Sequence, residues 1–571
     1  MSLLRTAILM TLILASRTAI AGTYYIAANG SDSNSGTSET SPWLHAPGMP
    51  NCAGNCAGLQ ASLGGTGSNA AGLRIIFRGG DTWHFGNPQA SPYTGGNWYW
   101  SWTGTSTSCV YEGTQTGCIY IGVDQTWYAG SSWTRPVLTA DNPTSASLVS
   151  SCTYQISPGG NPYSNTFFGV TGFVGGLVLD NFEMTGLCQT NAALSNAYVL
   201  DSGGNGVLNN FWTNLYIHGW SATTATTQYS MAAFNMSTVG SDSFIANVVD
   251  GSDSYAPAIG VFSFPNILHM KDNVFRYVSQ GVGGLCHDIH DNIFEHFYHP
   301  LDQSAHNNIL ECNSDANGAS PNVFYNNIIR HNDPSQNGGV DVWFCPNTTP
   351  EYWFNNILYD LGPNTTSNVW DIAGPPGYSC SNTGGQYMFN NTFVDVNHPC
   401  GIPANSANGH FLVIYNEHLI GGSWSMGLCT GGPTSRTNVS MTDSTATSQG
   451  YTSGSSGVSG APNQCANDTT PCAPTAAKNG TVGAGSNLFS YCATLASYLS
   501  DPSIGTDAAG ACTYGTTDAC AYSTSTHTLN CPGQIAVAKP SSGAWDAGSY
   551  QSSFNSGGQP NPPTNLAATA Q

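Results

Sequence analysis

The chain has 571 residues, of which 8% are charged, with 11 Lys or Arg against 32 Asp or Glu, 67 Gly and 31 Pro. So few bases exclude nucleic acid as the main partner, because neutralising phosphates takes clustered Lys and Arg; so much Gly and aromatic side chain excludes a coiled coil or helical bundle. With 11% aromatic and 40% apolar residues, the chain has the apolar surface for a sizeable core that disordered chains lack.

The amino terminus carries Arg5, an apolar run from Ala7 to Ala15, and the small-x-small pattern Ala19, Ile20, Ala21. This predicts a secretory signal over residues 1–21, too short and wrongly flanked for a membrane span. Its removal takes Arg5 and Arg17 and leaves nine bases against 32 acids, a charge of −23. A soluble, exported monomer is expected, extracellular or periplasmic, with no membrane span. Export also accounts for an even 18 Cys, which in an oxidising compartment read as a disulfide framework. Nearest-neighbour pairing is expected: Cys52 with Cys56, Cys109 with Cys118, Cys152 with Cys188, Cys286 with Cys312, Cys345 with Cys380, Cys400 with Cys429, Cys465 with Cys472 and Cys520 with Cys531.

From residue 180 onward an Asn followed by apolar β-formers recurs: DNFEM at Asn181, TNLYI at Asn214, ANVVD at Asn247, DNVFR at Asn273, DNIFE at Asn292, NNILE at Asn308, NNIIR at Asn327, NNILY at Asn356 and NNTFV at Asn391. The intervals vary from 16 to 35 residues, which helical solenoids with fixed-length repeats do not tolerate. Short parallel strands stacked coil on coil, with loops absorbing the differences, do. An Asn at each bend would tolerate left-handed backbone and pass amide hydrogen bonds to the next coil. The apolar residues after it, Phe182, Leu215, Val248, Val274, Ile293, Ile309, Ile328 and Ile357, are the expected interior stack. The 16-residue step from Asn292 to Asn308 is the least secure in register.

These repeats resemble those of the secreted right-handed parallel β-helix proteins of the pectate-lyase-like superfamily. The opening TYYIAANGSDSNSGTSETSPW, the segment IIFRGGDTW from Ile75 to Trp83 and the closing SGAWDAGSYQ from Ser542 to Gln551 are similar to that family too. The resemblance implies an all-β fold, a right-handed parallel β-helix (β-solenoid). Residues 22–175 would form an amino-terminal cap and first coils, and residues 176–430 regular coils. Residues 431–551 would form a Ser/Thr/Gly-rich insertion and irregular, disulfide-rich last coils, and 552–571 a flexible tail. It implies no single activity, because the superfamily holds lyases, hydrolases, epimerases and adhesins.

Polar residues interrupt the repeat in one stretch. Two positions before the Asn, where most coils are apolar, stand Lys271, His290 and His306; three positions after it stand Arg276, Glu295, Glu311 and Arg330. The last four read either as an outward salt-bridge ladder or, if Glu295 and Glu311 are one coil apart, as a carboxylate pair about 5 Å apart, suited to retaining hydrolysis. In a lyase acting by β-elimination on a uronic-acid polysaccharide, Lys271, Arg276 and Arg330 would neutralise the substrate carboxylate and His290 or His306 would be the base. His287 and His331 belong to the same histidine concentration and are expected at substrate, as are the aromatics Trp343, Trp353, Tyr359 and Trp370, whose rings suit sugar faces. Asp302, Asp341 and Asp371 would form an acidic column able to hold calcium, with Asp32 and Asn34 a second calcium candidate. The partner expected is a polysaccharide. Lyase, hydrolase and non-catalytic glycan binder remain open, the lyase being preferred.

Overall fold

The computed structural model describes residues 22–104, 109, 117–156, 166–170, 175–189, 198–201, 209–223, 231–235, 242–251, 261–262, 267–284, 286–298, 309–313, 322–333, 342–345, 351–361, 370–371, 386–395, 411–421, 434–452, 465–475, 480–498, 502–515, 521–530 and 537–552. The expected signal and tail, and Asp302, His306 and Asp341, lie outside the described residues.

Two long parallel sheets, of 13 and 12 strands, run the length of the molecule. In each regular coil a strand of the first sheet is followed, after two residues, by a strand of the second: Ile267–Lys271 then Val274–Arg276, Cys286–His290 then Ile293–Glu295, Asn322–Tyr325 then Ile328–Arg330. A third face completes the coil, with a five-stranded sheet in early coils and a four-stranded sheet, Val282–Gly284, Leu310–Asn313, Val342–Cys345 and Trp370–Asp371, in later ones. The chain is a right-handed parallel β-helix.

Stacking places like residues above like, and the columns account for the core. Phe244, Met270, Ile289, Phe324, Trp353, Met388 and Ile414 are successive register partners on the first sheet. Ile217, Val249, Phe275, Phe294, Ile329, Leu358 and Phe393 are their counterparts on the second. All are buried in one cluster. The helix Gly54–Leu63 closes the amino-terminal end, with Cys56, Leu59 and Leu63 in the same core.

The two-residue turn divides between neighbours the two duties expected of one Asn. Its first residue is left-handed, with φ between 54° and 63° at Asn181, Asn214, Ala246, Asp272, Asp291, Asn326, Asn355, Asn390 and Asn416. Asn and Asp adopt this conformation more readily than other side-chain-bearing residues. The second residue turns inward and forms the ladder. Asn247 donates from its backbone N–H and its Nδ2 to Asn273 Oδ1 at 2.8 and 3.2 Å. The pattern repeats from Asn273 to Asn292, Asn327, Asn356 and Asn391. It then continues to Glu417, whose carboxylate oxygens accept from Asn391, and to Asn438.

Three expectations shift accordingly. Asn181 and Asn214 occupy the left-handed position, so Phe182 and Leu215 stand in the ladder column rather than beside it. Asn308 lies outside the described residues, and the ladder steps directly from Asn292 to Asn327 as the first sheet pairs Cys286–His290 with Asn322–Tyr325, while Leu310–Asn313 lies on the third face. Beyond Val439–Met441 the described residues add no strand to either long sheet, and they double back along the outside. The helices Phe489–Tyr498 and Pro502–Cys512, with Trp545, cover Val323, Tyr325, Tyr352, Phe354 and Phe389 of the first sheet. On the second sheet, Cys465, Cys472, Tyr451 and Tyr550 cover Ile328, Ile357, Tyr359, Val394 and Ile420, while Tyr522 and Leu529 cover Tyr216, Val248, Val274 and Ile293.

Disulfides join Cys52–Cys56, Cys109–Cys118, Cys152–Cys188 and Cys465–Cys472 as expected, and Cys492–Cys512 between the two packed helices. Cys380, Cys400, Cys429, Cys520 and Cys531 lie outside the described residues, and Cys286, Cys312 and Cys345 are described in backbone alone. Five disulfides belong in an oxidising compartment. No helix among the described residues is long and apolar enough to cross a membrane.

Candidate functional site

The outer column of the second sheet runs Asp250, Arg276, Glu295, Arg330, Tyr359 in direct register. It is a continuous ion-pair ladder. Arg276 meets Asp250 at 3.2 Å and Glu295 at 3.1 Å; Arg330 meets Glu295 at 2.9 Å and the Tyr359 hydroxyl at 3.2 Å. The returning chain seals it: Tyr359 donates to Asp468 at 2.6 Å, and the Tyr522 ring lies 4.5 Å from the Arg276 guanidinium. Each of the five is at most 5% exposed. Burial works to raise the Glu295 carboxyl, but Arg330, His296 and Arg276 outweigh it and hold it below the usual carboxylate range. The ladder reading therefore describes Arg276, Glu295 and Arg330, with the addition that it is covered. The carboxylate-pair reading fails, because the register partners of Glu295 are both arginines and Glu311 stands on another face, between Gly283 and Trp343.

The outer face of the first sheet gathers His269, Lys271, Asp272, Asp288, His290 and Asp291. His269 Nδ1 lies 3.0 Å from Asp288, and His290 Nδ1 lies 2.6 Å from Asp291 with its Nε2 3.8 Å from Asp288. The His290 ring stacks on Tyr325 at 4.5 Å. Burial pulls the His290 pKa down, but Asp288 and Asp291 pull harder and raise it to about 9. It is an imidazolium at neutral pH, with no lone pair for taking a proton. His287 is buried in the same strand at the opposite parity. His331, at the turn after the second sheet, bridges Asp360 at 2.6 Å and Asp468 at 3.2 Å. Those hydrogen bonds overcome burial and raise its pKa to about 9, so it latches the returning chain to the coils.

Two of the expected sugar platforms are interior. Trp353 belongs to the core column of the first sheet, and Tyr359 ends the ion-pair ladder; both are at most 2% exposed. Trp370 pairs with Val342, in the row of the core residues Val282 and Leu310. Trp343 pairs with Glu311 on one side and Asp371 on the other. Of the acidic column expected of Asp302, Asp341 and Asp371, the first two lie outside the described residues, and the register partner of Asp371 is Trp343. Asp32 is a staple: its Oδ1 accepts from the N–H groups of Leu44 and His45, its Oδ2 meets Ala53 N–H and the His45 ring, and Asn34 donates to Pro42. Those donors occupy the oxygens a calcium ion would need. Among the described residues no group of three or more His, Cys, Asp or Glu is arranged to hold a metal.

What remains is the third face. The turn from first to second sheet is two residues in every coil from Leu177–Asp180 onward, yet coil length from one ladder position to the next runs from 19 residues (Asn273 to Asn292) to 35 (Asn292 to Asn327). All of that variation falls on the path from the second sheet through the third face and back. Loops on a rigid scaffold are where binding and catalysis concentrate, and the register row Gly283, Glu311, Trp343, Asp371 crosses that face. Sequence spacing alone missed this row because Glu311 had been aligned with Glu295, and missed Asp468 and Tyr522 because neither belongs to the repeat.

No family model matches the chain, and no curated protein matches it. Solved structures similar to it include the GH136 lacto-N-biosidase from Eubacterium ramulus, 11% identical, TM-score 0.41, over 74% of this chain and 68% of that one. A pectate lyase is 14% identical, TM-score 0.36, over 93% and 96%. A rhamnogalacturonan lyase is 14% identical, TM-score 0.35, over 73% and 87%. The architecture itself rests on the strand register, which makes this chain a right-handed parallel β-helix.

Proposed function

We propose that the protein is an exported glycan-acting β-helix whose site lies on the third face, where Glu311 and Asp371 serve as acid and base in glycoside hydrolysis with inversion. The observation that carries this is the row Glu311, Trp343, Asp371 on three consecutive strands. Parallel strands about 4.8 Å apart set the two acids' backbones roughly 9 to 10 Å apart, compatible with the wider carboxyl separation that leaves room for a water beside the sugar. One carboxyl, protonated, gives its proton to the glycosidic oxygen as that bond breaks; the other takes a proton from the water that attacks the anomeric carbon. The strand between them carries Trp343 in the same register row, a residue type that suits sugar faces.

Elimination draws no comparable support. Arg276 and Arg330 are occupied by Asp250, Glu295 and Tyr359 under the returning chain, and His290 is already protonated at neutral pH. The test is product analysis with the full chain over a glycan panel. Reducing ends without ultraviolet absorbance are expected, with Glu311→Gln and Asp371→Asn each lowering turnover by about 10²- to 10⁴-fold while binding persists. Products carrying an ultraviolet-absorbing double bond would replace hydrolysis by elimination. Binding without any product, unchanged in both variants, would leave a non-catalytic module.

A further inference from the structure

Each rung of the inner ladder has two duties. Its side-chain oxygen accepts from the rung before it, and its Nδ2 donates to a first-sheet carbonyl one coil earlier. Asn247 donates to Trp212, Asn273 to Phe244, Asn292 to Met270, Asn327 to Ile289, Asn356 to Phe324 and Asn391 to Trp353, at 2.8 to 3.2 Å. Asn438 resumes the series with Ile414 at 3.4 Å. The rung between is Glu417, and the carbonyl that falls to it is that of Met388, which stands between Trp353 and Ile414 in the same column. Glu417 performs the accepting duty: Oε2 takes the Asn391 N–H at 2.9 Å and Oε1 takes Asn391 Nδ2 at 3.1 Å. An ionised carboxyl can only accept, whereas a protonated one keeps acceptor capacity and gains one donor.

Glu417 is fully buried, and among the described residues the titratable groups of the surrounding elements are engaged elsewhere. His418, next in the chain, is held neutral by burial, its pKa lowered to about 3. Asp395 and Asp443 flank Gly421 at the following turn. On the returning chain, Asp546 accepts from the N–H groups of Gly483 and Ser552, and Lys539 donates to Asn355 and to the Cys512 carbonyl. Arg436 stands opposite Tyr415 in register. Only the two Asn391 hydrogen bonds oppose burial, which pushes the Glu417 carboxyl well above the usual carboxylate range. The same turn anchors the returning chain. Asn416, immediately before Glu417, donates from Nδ2 to the Ser486 carbonyl at 2.9 Å, accepts the Ser486 N–H at 2.7 Å, and through its own carbonyl accepts the Gly548 N–H at 2.6 Å.

We infer that Glu417 is a protonated rung whose hydroxyl donates to the Met388 carbonyl, and that loss of this proton is a pH-operated release of the turn that holds the returning chain. A charge there would be buried without a counter-ion; opening the turn hydrates it and frees Asn416 from Ser486 and Gly548. The unfolded chain gives up the proton above about pH 4.3, so the stabilisation is complete below that pH and drains away as pH rises through the higher folded value. Glu417→Gln keeps an acceptor oxygen and supplies the donor permanently. Urea unfolding of the full chain and this variant should show the variant's advantage in unfolding constant growing at least ten-fold between pH 5 and pH 7. Hydrogen exchange of the Ser486 and Gly548 amides, compared between the two proteins at each pH, should be equal at pH 5 and at least ten-fold faster in the parent at pH 8.5. Infrared difference spectra of the parent at pH 7.5 should hold a protonated-carboxyl band that the variant lacks. An advantage independent of pH, or no such band in the parent, overturns the protonated rung whether or not the variant folds. Equal exchange of both amides at every pH overturns the release.

Discussion

Ala246 and Asn247 are neighbours in one turn and are expected to respond to substitution in opposite directions. Ala246 has φ of 58°, where a Cβ costs roughly 1–2 kcal/mol, and its methyl group has no ladder role. Ala246→Gly removes that strain and gives back about 0.5–1 kcal/mol in unfolded-state entropy, so the variant should lie between neutral and about 1.5 kcal/mol more stable. Asn247 is fully buried. Its Oδ1 accepts from Leu215 N–H at 2.9 Å and its Nδ2 donates to Trp212 carbonyl at 2.8 Å. Asn273 Oδ1 keeps the Asn247 backbone N–H in any variant, so Asn247→Ala orphans two buried groups, at roughly 1–3 kcal/mol each. A loss of about 2–6 kcal/mol follows. Urea unfolding of the disulfide-intact protein, followed by tryptophan fluorescence and far-ultraviolet circular dichroism, reads both. A destabilised Ala246→Gly, or an Asn247→Ala within about 1 kcal/mol of the parent, would refute the division of labour within the turn.

Glu295→Gln leaves Arg276 and Arg330 facing each other in a buried column, and should lower stability by about 3–5 kcal/mol with no effect on third-face chemistry; equal loss of glycan turnover in a correctly folded variant would put Glu295 back among catalytic residues. His331 and His290 have folded pKa values raised to about 9, above the unfolded value near 6.5, so the stability they contribute is complete below about pH 6.5 and drains away as pH rises through about 9. Unfolding midpoints at pH 6 and pH 9.5 should differ, and His331→Gln should shrink the difference; an unchanged difference in that variant would exclude the latch. Asp468, held below the usual carboxylate range by His331 and Arg330 against burial, acts with the opposite sign. Its contribution is present above about pH 4 and is lost in acid, so Asp468→Asn should flatten the acid limb of the same curve.

The repeat was readable because stacking converts one interior environment into many identical letters. Asn doublets and the β-branched residues after them reflect a left-handed position followed by a ladder position. Register was harder to read. DN at Asp180 and Asn181 looks like DN at Asp272 and Asn273 yet sits one place earlier, and NNIL ending at Leu310 imitates the ladder sequence although the ladder steps directly from Asn292 to Asn327. Glu295 and Glu311 were aligned through that imitation. The covering of the sheets leaves no periodic trace at all: Arg330 finds Asp468 138 residues away and Asp250 finds Tyr522 272 residues away. A charge that pattern places on an outer surface is thus sealed by chain that does not repeat. Trp353 was misjudged for a simpler reason, since alternation with Phe324 and Met388 already marks its column as interior.

The returning carboxy-terminal chain alters how the molecule can come apart. Coils in a solenoid touch only their neighbours, so opening at one end normally propagates independently of the other. Here Thr526 accepts from Arg135 across 391 positions, and Ser549 donates to Asn356 across 193. Early, middle and late coils are bound to one strap, and a coil cannot open without stripping that strap from its neighbours. The strap follows the coils in the chain, and its contacts through Asp468 and Tyr522 are what keep Arg276, Glu295 and Arg330 from water. A linear stack thereby becomes one cooperative unit, bound together by chain that belongs to none of its coils.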